Sequence, residues 1–361
     1  MLHFNRYKYY LVYFSFPINL MIQRLLIVLS IFTFSHLSFS QEGIPVYFDY
    51  LADNYYLVYP SMAGIGEGAK IRVTARKQWF DVQDAPNLQT ANFHMRAGDS
   101  NSGFGIQVFN DANGYHSQSG VKVTYAHHLK LGGDDRYLNQ LSFGLSPTYL
   151  QSRLDESEFV SPGGVPDGAV GNGTINAGYY NVDFGMSYNK MEFYSHFAIT
   201  NLLTGSERNL YRVNRNNPDN VPAIDNLRRY LVSAGYIFGR NVWQYEPSLL
   251  FQLTEWTKEK TIDINMKAYR DVSFGRIWGG ISYRRSFDGA QFIDGDNFGE
   301  QKLQLFTPII GANIKNFLVS YNYSYQSGSA IIDNGGFHQI TLGYDFGQSE
   351  RKYDCYCPAA Q

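Results

Sequence analysis

Hydrophobic and polar residues alternate with a period of two along most of the chain after residue 41. Near the end, for example, Ile340, Leu342, Tyr344 and Phe346 alternate with Thr341, Gly343 and Asp345. This period is typical of β-strands, in which neighbouring side chains point to opposite faces. No apolar run after residue 41 is long enough for a membrane-spanning helix. The pattern therefore predicts an all-β protein.

The alternating segments number about fourteen, and most are about ten residues long, which is what a tilted strand needs to cross a bilayer. They lie at 69–80, 87–97, 103–110, 118–130, 138–151, 178–190, 191–201, 227–238, 244–256, 260–270, 273–285, 302–313, 316–326 and 337–346. Short connections alternate with long ones, and the longest are 152–177, 202–226 and 286–301. Short turns on one rim and long loops on the other are typical of outer-membrane barrels.

A sheet can cross a bilayer only as a closed barrel, because every backbone polar group in lipid must be paired internally. We therefore predict a transmembrane antiparallel β-barrel over residues 69–346, in which segment 337–346 pairs with 69–80. A secreted soluble propeller or sandwich is the alternative. A propeller would show a repeated motif, which the chain lacks, and a sandwich of this length would be unusual as one domain.

The N-terminus has the layout of a secretory signal. Arg24 precedes a mostly apolar run at 25–34, and the small residues Ser38 and Ser40 follow it. We predict a signal peptide over residues 1–40, with Met21 as an alternative start because residues 1–20 add nothing to the layout. A single amphipathic anchor is the other interpretation. No Cys follows the cleavage site, which argues against a lipoprotein.

Residues 41–68 are aromatic but do not alternate cleanly. Six Tyr and Phe residues lie between positions 47 and 59, and Pro60 and 64–66 interrupt regular structure. Leaving so much aromatic surface in water would be costly. We therefore predict that this segment packs into the lumen as a plug or along one rim, with a flexible leader as the alternative.

The composition does not alter the prediction of a membrane barrel. Charged residues are 17% and aromatic residues 16%, which argues against disorder. The mean hydropathy of −0.30 does not exclude a membrane barrel, because lipid-facing and lumen-facing residues alternate. Of 30 basic and 32 acidic residues, residues 1–40 hold three basic and no acidic ones, so the mature chain is acidic and suggests no nucleic-acid partner.

No motif suggests an enzyme, a metal site or a cofactor. His127 and His128 are adjacent in a strand, so their rings point to opposite faces and cannot share one metal ion. Cys355 and Cys357 lie in a polar tail, 347–361, which we predict to be periplasmic. A disulfide between such close cysteines would be strained. We interpret them as incidental, with a metal or redox role as the alternative.

Charged side chains share one face of the first strand. Lys70, Arg72, Thr74 and Arg76 lie on it, opposite Ile71, Val73 and Ala75. A charge on the lipid face near the midplane costs about 2–4 kcal/mol, so this face should line the lumen. Parity places Trp79 opposite Arg76. Acidic residues available as partners for the inward cations are Asp183, Asp263, Glu246 and Asp345. We predict an occluded, side-chain-filled lumen, with a selective pore as the alternative.

Short motifs occur in a fixed order in the first third of the mature chain. They are Tyr59-Pro60-Ser61-Met62-Ala63-Gly64, Arg76-Lys77-Gln78-Trp79, Ala85-Pro86, Gly103-Phe104-Gly105, Tyr125-Ala126-His127-His128 and Leu141-Ser142-Phe143-Gly144-Leu145. This set resembles the PorP/SprF family of outer-membrane proteins, found with type IX secretion and gliding motility in Bacteroidota. The family's segments read Asn-Pro-Ala-Tyr-Ala-Gly and Arg-x-Gln-Trp. Tyr59 replaces the usual Asn, and Met62 stands where an aromatic residue is common.

The resemblance implies an outer-membrane barrel that binds, and anchors or helps secrete, a type IX cargo such as a surface adhesin or its C-terminal domain. It also implies contact with other secretion components and with outer-membrane lipid. A transport barrel for a small solute, apolar solutes included, is the second hypothesis. Exposed apolar residues in long loops are candidate partner contacts. The candidates are Phe159, Leu203, Tyr211, Phe287, Phe292 and Phe298.

Overall fold

The structure is a computed structural model. It describes residues 40–41, 54–66, 68–78, 85–98, 100–132, 137–157, 173–203, 225–226, 228–239, 242–255, 258–287, 290–294, 297–301, 303–327 and 336–347, with backbone alone at 40–41, 225–226, 290–294 and 297–301. The predicted signal peptide up to residue 39 and the predicted tail from residue 348 lie outside the described residues. The division of the chain at residues 40, 68 and 346 stays a prediction.

Fourteen antiparallel strands form one closed barrel, as the sequence pattern predicts. They are β1 Ala69–Gln78, β2 Asn87–Arg96, β3 Ser102–Asn113, β4 His116–Lys130, β5 Asn139–Asp155, β6 Thr174–Lys190, β7 Phe193–Thr200, β8 Arg229–Tyr236, β9 Trp243–Thr254, β10 Lys260–Val272, β11 Gly275–Ser286, β12 Gln304–Ile314, β13 Phe317–Ser327 and β14 Phe337–Phe346. Each strand pairs with the next along the chain. β14 then pairs with β1 from Phe346↔Ala69 to Phe337↔Gln78, which confirms the predicted closure.

The alternation seen in the sequence separates the two faces of the wall. In β14 the outward Leu342 is 52% exposed, whereas the neighbouring inward Thr341 is 2% exposed. The first strand behaves alike: Lys70, Arg72, Thr74 and Arg76 are buried inside, whereas Val73 is exposed outside. An apolar outer face with a polar interior is the pattern of a transmembrane barrel. Among the described residues, no helix is both long and apolar enough to span a membrane.

The two rims differ in their connections. We call the rim that carries 79–86, 114–115, 156–173, 201–228, 255–259, 287–303 and 328–336 the loop rim. The opposite turn rim carries 97–101, 131–138, 191–192, 237–242, 273–274 and 315–316. Two of its tight turns place Met191 and Lys315 at positive φ. In outer-membrane barrels the short turns face the periplasm, and long loops face the outside.

Three stretches predicted as loop are partly strand. The prediction ended the fifth strand at 151 and began the sixth at 178, yet β5 continues to Asp155 and β6 begins at Thr174. The outward positions become polar there, so the apolar alternation stops although backbone pairing continues. Within 287–303, Ala290–Asp294 pairs with Asn297–Gln301 as a hairpin. Within the third stretch, 202–226, Asp225–Asn226 pairs in parallel with Ser40–Gln41.

The terminal strand provides a test of assembly. Phe346 faces outward at the turn rim, and its ring packs edge-on against Tyr344 with centroids 4.6 Å apart. We expect Phe346→Asp to lower the yield of membrane-inserted barrel, because a charge replaces an interfacial aromatic residue on the closing strand. Phe346→Leu and deletion of 348–361 should leave the yield unchanged. Outer-membrane fractionation measures this, and a normal yield of Phe346→Asp would contradict it.

Candidate functional site

Residues 54–66 pack inside the barrel and form what we call the luminal segment. Two short 3-10 turns, Tyr55–Leu57 and Pro60–Met62, give it a compact path. Tyr59 is 0% exposed, and the aromatic and apolar side chains of the segment join a buried cluster with Tyr194, Ala198 and Leu231 of the wall. The aromatic surface that made residues 41–68 costly to leave in water is thus buried in this part.

Inward-facing glycines make room for the luminal segment. A Cβ atom at Gly144 would lie within 3.0 Å of the Pro60 carbonyl and the Ser61 nitrogen. One at Gly185 would lie 2.9 Å from the Pro60 ring and the Ser61 nitrogen, and one at Gly103 would clash with the Ala63 carbonyl. Glycine within a strand commonly marks such a close approach by another backbone. The wall is therefore shaped to accept this segment.

Tyrosine hydroxyls converge on one buried carboxylate. The Tyr194 hydroxyl donates to Glu246 at 2.5 Å, and Tyr269 donates to the second carboxylate oxygen. The Tyr55 hydroxyl lies 3.0 Å from the Tyr194 hydroxyl and 3.2 Å from Glu246. Glu246 was expected to pair with an inward cation; its hydrogen-bond partners in the structure are these hydroxyls. The carboxylate thus ties the luminal segment to β7, β9 and β10.

Further hydrogen bonds fix the middle of the segment. The Tyr56 hydroxyl donates to Thr124 at 2.8 Å, and the Tyr59 hydroxyl donates to Ser233 at 2.9 Å. The hydroxyls of Ser61 and Ser187 lie 2.6 Å apart. Burial raises the pKa of Tyr56 to about 12 and that of Tyr59 higher still. Both phenols therefore remain protonated donors at neutral pH.

The end of the segment at the turn rim is held by histidine and arginine. His128 Nε2 lies 2.9 Å from the Ala63 carbonyl oxygen, and the Gly64 N–H donates to His94 Nδ1 at 3.0 Å. Arg96 donates to the Gly64 and Ile65 carbonyls. His127 lies on the outer face, so the two adjacent histidines do point apart as predicted. Within the described ranges, no group of His, Cys, Asp or Glu could hold a metal ion.

Ion pairs line the interior, as the face assignment requires. Arg72 pairs with Asp345 at 2.5 Å and Arg284 with Asp263 at 2.7 Å. Lys122 pairs with Asp183 at 2.5 Å. All three pairs involve an acidic residue that the sequence offered as a partner. Their opposite charges compensate within the lumen, away from lipid.

A small cavity of about 50 Å³, partly open to solvent, lies between the luminal segment and the barrel wall. Leu57 lines it from the luminal segment. The wall residues that line the cavity come from the strands β2 to β8 and from the end of β7, and they include both apolar and polar side chains. They are Leu88, Thr90, Gln107, Phe109, Lys122, Thr148, Leu150, Tyr179, Asp183, Thr200, Asn201 and Arg229. The luminal segment therefore packs against the wall with one small gap beside Leu57.

The structure places the candidate partner contacts unevenly. Leu203 and Phe287 are each 47% exposed at the loop rim, but they follow β7 and β11, four strands apart. Phe292 and Phe298 lie on the loop hairpin, where only the backbone is described. Phe159 and Tyr211 lie outside the described residues. The described part of the chain thus brings no two of these side chains together.

The motif residues have clear positions. Pro60 and Gly64 belong to the luminal segment, and Gly64 has a φ of +67°, which favours glycine. Arg76 is buried inside the barrel, as predicted, with its guanidinium 4.6 Å from the Phe337 ring centroid. The Gln78 N–H donates to the Pro86 carbonyl across the first loop-rim connection. Trp79 lies outside the described residues, so its predicted orientation stays a prediction.

Sequence reasoning did not identify Tyr55, Glu246 or the wall glycines as parts of one site. The glycines did leave a signal, because Gly103, Gly144 and Gly185 interrupt the inward register of strands where a side chain is expected. Nothing local marks Glu246, whose contact with Tyr55 joins residues 191 positions apart.

Comparisons with known protein families and solved structures cover most of the chain. The family described as "Type IX secretion system membrane protein PorP/SprF" matches residues 39–344. No curated protein matches the chain. Among solved structures, the CymD monoaromatic hydrocarbon channel is 8% identical, with 78% of this chain and 89% of that chain covered and a TM-score of 0.44.

Two further structures show similar coverage. The Salmonella typhi OmpF in complex with daunomycin is 12% identical, with 78% of this chain and 98% of that chain covered and a TM-score of 0.33. The β domain of the Bordetella autotransporter BrkA is 11% identical, with 77% and 99% covered and a TM-score of 0.35.

The family match spans most of the chain, and the closed barrel has the apolar outer face that a membrane requires. The chain therefore belongs to the PorP/SprF family of type IX secretion system membrane proteins, and it is an outer-membrane β-barrel.

Proposed function

We propose that the barrel binds a type IX secretion cargo, such as a surface adhesin or its C-terminal domain, and anchors it or helps to secrete it. The observation that carries this proposal is the packing of the luminal segment into glycine-lined wall positions. A barrel with such a filled lumen is better suited to hold a partner than to conduct solutes.

The cargo can bind only to surfaces that neither lipid nor the luminal segment covers. Lipid covers the apolar outer belt, and the luminal segment fills the half of the lumen near the turn rim. The loop rim stays available, and loops can vary to match one cargo without disturbing strand pairing. Family membership supports contact with other secretion components, for which the turn rim is the accessible surface.

Loop trimming tests the anchoring role. Replacing 204–224 or 288–302 by a short turn removes the candidate contacts Tyr211, or Phe292 and Phe298, but leaves the barrel strands intact. We expect folded, heat-modifiable barrels that release the adhesin from the cell surface into the medium. Surface immunoblotting against shed protein measures this. Trimming 328–335, which holds none of the candidates, is the control.

Both trimmed variants retaining adhesin at the parental level would contradict anchoring through these loops. The lumen mouth or the turn rim would then be the contact.

Small-solute transport is the second candidate, and the cavity above Leu57 favours it. A solute bound there would still have to displace the luminal segment to reach the turn rim. Solute-dependent conductance of the purified barrel in planar bilayers would support transport. Its absence, together with cargo release on loop trimming, would support anchoring.

A further inference from the structure

Two buried side chains of opposite charge lie next to each other on the inner wall, where β9 pairs with β10. Glu246 and Lys267 are directly opposite in the register, and they are only 1% and 3% exposed. Side chains opposite each other in an antiparallel pair have Cβ atoms about 5 Å apart. The Lys267 ammonium is therefore within reach of the Glu246 carboxylate.

The two charges are nevertheless held by different groups. Glu246 binds three tyrosine hydroxyls, one of which belongs to Tyr55 of the luminal segment. The Lys267 ammonium lies over the Trp278 ring, 4.1 Å from its centroid. A cation over an indole ring is attracted by the negative face of the ring, most strongly where water is excluded. The luminal segment thus contributes to holding the carboxylate, and an aromatic ring holds the lysine.

The wall is shaped for this position of the lysine. Gly280 lies directly opposite Lys267 on β11, and a Cβ atom there would lie 2.9 Å from the Lys267 Cγ. Gly311 on β12 leaves space for the Trp278 ring, which a Cβ atom would overlap. The indole N–H of Trp278 donates to the Asn313 side chain at 2.9 Å and so fixes the ring. The cation position over Trp278 is therefore built by β11 and β12.

Withdrawal of the luminal segment would take one hydroxyl away from the buried Glu246 carboxylate. Hydrogen bonds to a charged group are stronger than neutral ones, and a buried charge that loses its partner is strongly destabilising. Lys267 can take the place of Tyr55 by rotating its side chain away from Trp278. The same wall thus offers one balanced arrangement with the segment in place and another with the segment withdrawn.

We propose that Glu246 and Lys267 form a two-position switch that lets the luminal segment leave its place in the barrel and return. With the segment docked, Tyr55 binds Glu246, and Lys267 lies over Trp278. With the segment withdrawn, Lys267 moves to Glu246 and forms the ion pair that the register allows. A conformational change of this kind needs an element with two discrete arrangements. The switch concerns the opening of the lumen and does not depend on whether the barrel anchors a cargo or transports a solute.

Labelling of a cysteine in the luminal segment measures its withdrawal. Ser61 is 0% exposed, so Ser61→Cys should react with a water-soluble maleimide only while the segment is withdrawn. The probe is placed in a full chain in which Cys355 and Cys357 are replaced by Ser. Mass spectrometry of the purified barrel in detergent micelles follows the reaction, and heat-modifiability shows that each variant is folded.

Lys267→Met keeps a long side chain but cannot pair with Glu246. When the segment withdraws, the buried carboxylate then has neither Tyr55 nor a cation, which outweighs the contact that Met loses over Trp278. We expect labelling to slow about tenfold. Lys267→Arg retains the cation and should stay within about threefold of the parental rate.

A lysine that only packs against Trp278 would give the opposite sign, because its loss would loosen the wall around the segment. Labelling of Lys267→Met at the parental rate or faster would therefore overturn the proposal. So would a parental probe that never reacts under conditions that label the unfolded chain.

Glu246→Gln tests whether the lysine acts through the carboxylate. Gln carries no charge, so Lys267 gains no ion pair by moving. In this background we expect Lys267→Met to change the labelling rate by less than about twofold. Equal effects of Lys267→Met with Glu246 and with Gln at this position would show that the two residues act independently and would refute the switch. These measurements need no cargo, so their outcome is separate from that of loop trimming.

Discussion

Gly144→Val is expected to displace the luminal segment and open the barrel. Its Cβ would lie within 3.0 Å of the Pro60 carbonyl and the Ser61 nitrogen, which are backbone atoms and cannot rotate away. Overpacking a filled site commonly costs about 1–3 kcal/mol, and here the strand is fixed by its neighbours, so the segment must yield. Open-channel currents in planar bilayers, absent from the parent, and entry of a large antibiotic into cells would report the change.

Gly279→Val is the matched control. Gly279 also lies in a strand, but it faces outward, and its nearest neighbour for a Cβ, the Ile309 carbonyl oxygen, is 3.4 Å away. We expect parental conductance from this variant. A closed Gly144→Val barrel with normal yield would show that the segment does not determine whether the lumen is open.

The barrel was predictable because its strongest physical requirement is local. Each strand must offer apolar groups to lipid and polar groups to the lumen, so the constraint appears as a period of two within ten residues. Closure then follows from the absence of edges, and β14 does pair with β1. The predicted boundaries were wrong where the apolar alternation ends: beyond Tyr149 and Tyr180 the outward residues are no longer apolar, although β5 and β6 continue.

The candidate site was less predictable because its contacts are long-range. The aromatic content of 41–68 indicated burial, but neither the hydroxyl network at Glu246 nor the fit of Pro60 against Gly144 follows from local pattern. The buried cluster of Phe109, Leu150 and Tyr179 becomes visible only once strand register is known. Register depends on pairing partners rather than on any single segment.

Asp345→Ala is expected to cause a large loss of barrel stability, because Asp345 lies at the seam between the first and last strands. Its carboxylate accepts from Arg72 at 2.5 Å, and these side chains are 12% and 6% exposed. Lys70, also buried, lies directly opposite Asp345 in the register. Removing the carboxylate takes this counter-charge from the buried Arg72, and breaking a buried pair in this way typically costs about 3–5 kcal/mol.

The temperature at which the folded band disappears in heat-modifiability gels measures this loss. Asp271→Ala is the control, because Asp271 is 44% exposed and its 2.7 Å pair with Arg276 lies at the turn rim, where such pairs contribute about 0–1 kcal/mol. Adding Arg72→Met to Asp345→Ala should restore part of the lost stability by removing one uncompensated charge. Equal shifts for Asp345→Ala and Asp271→Ala would mean that lumenal water screens the seam charges, and that main-chain pairing between β1 and β14 alone keeps the barrel closed.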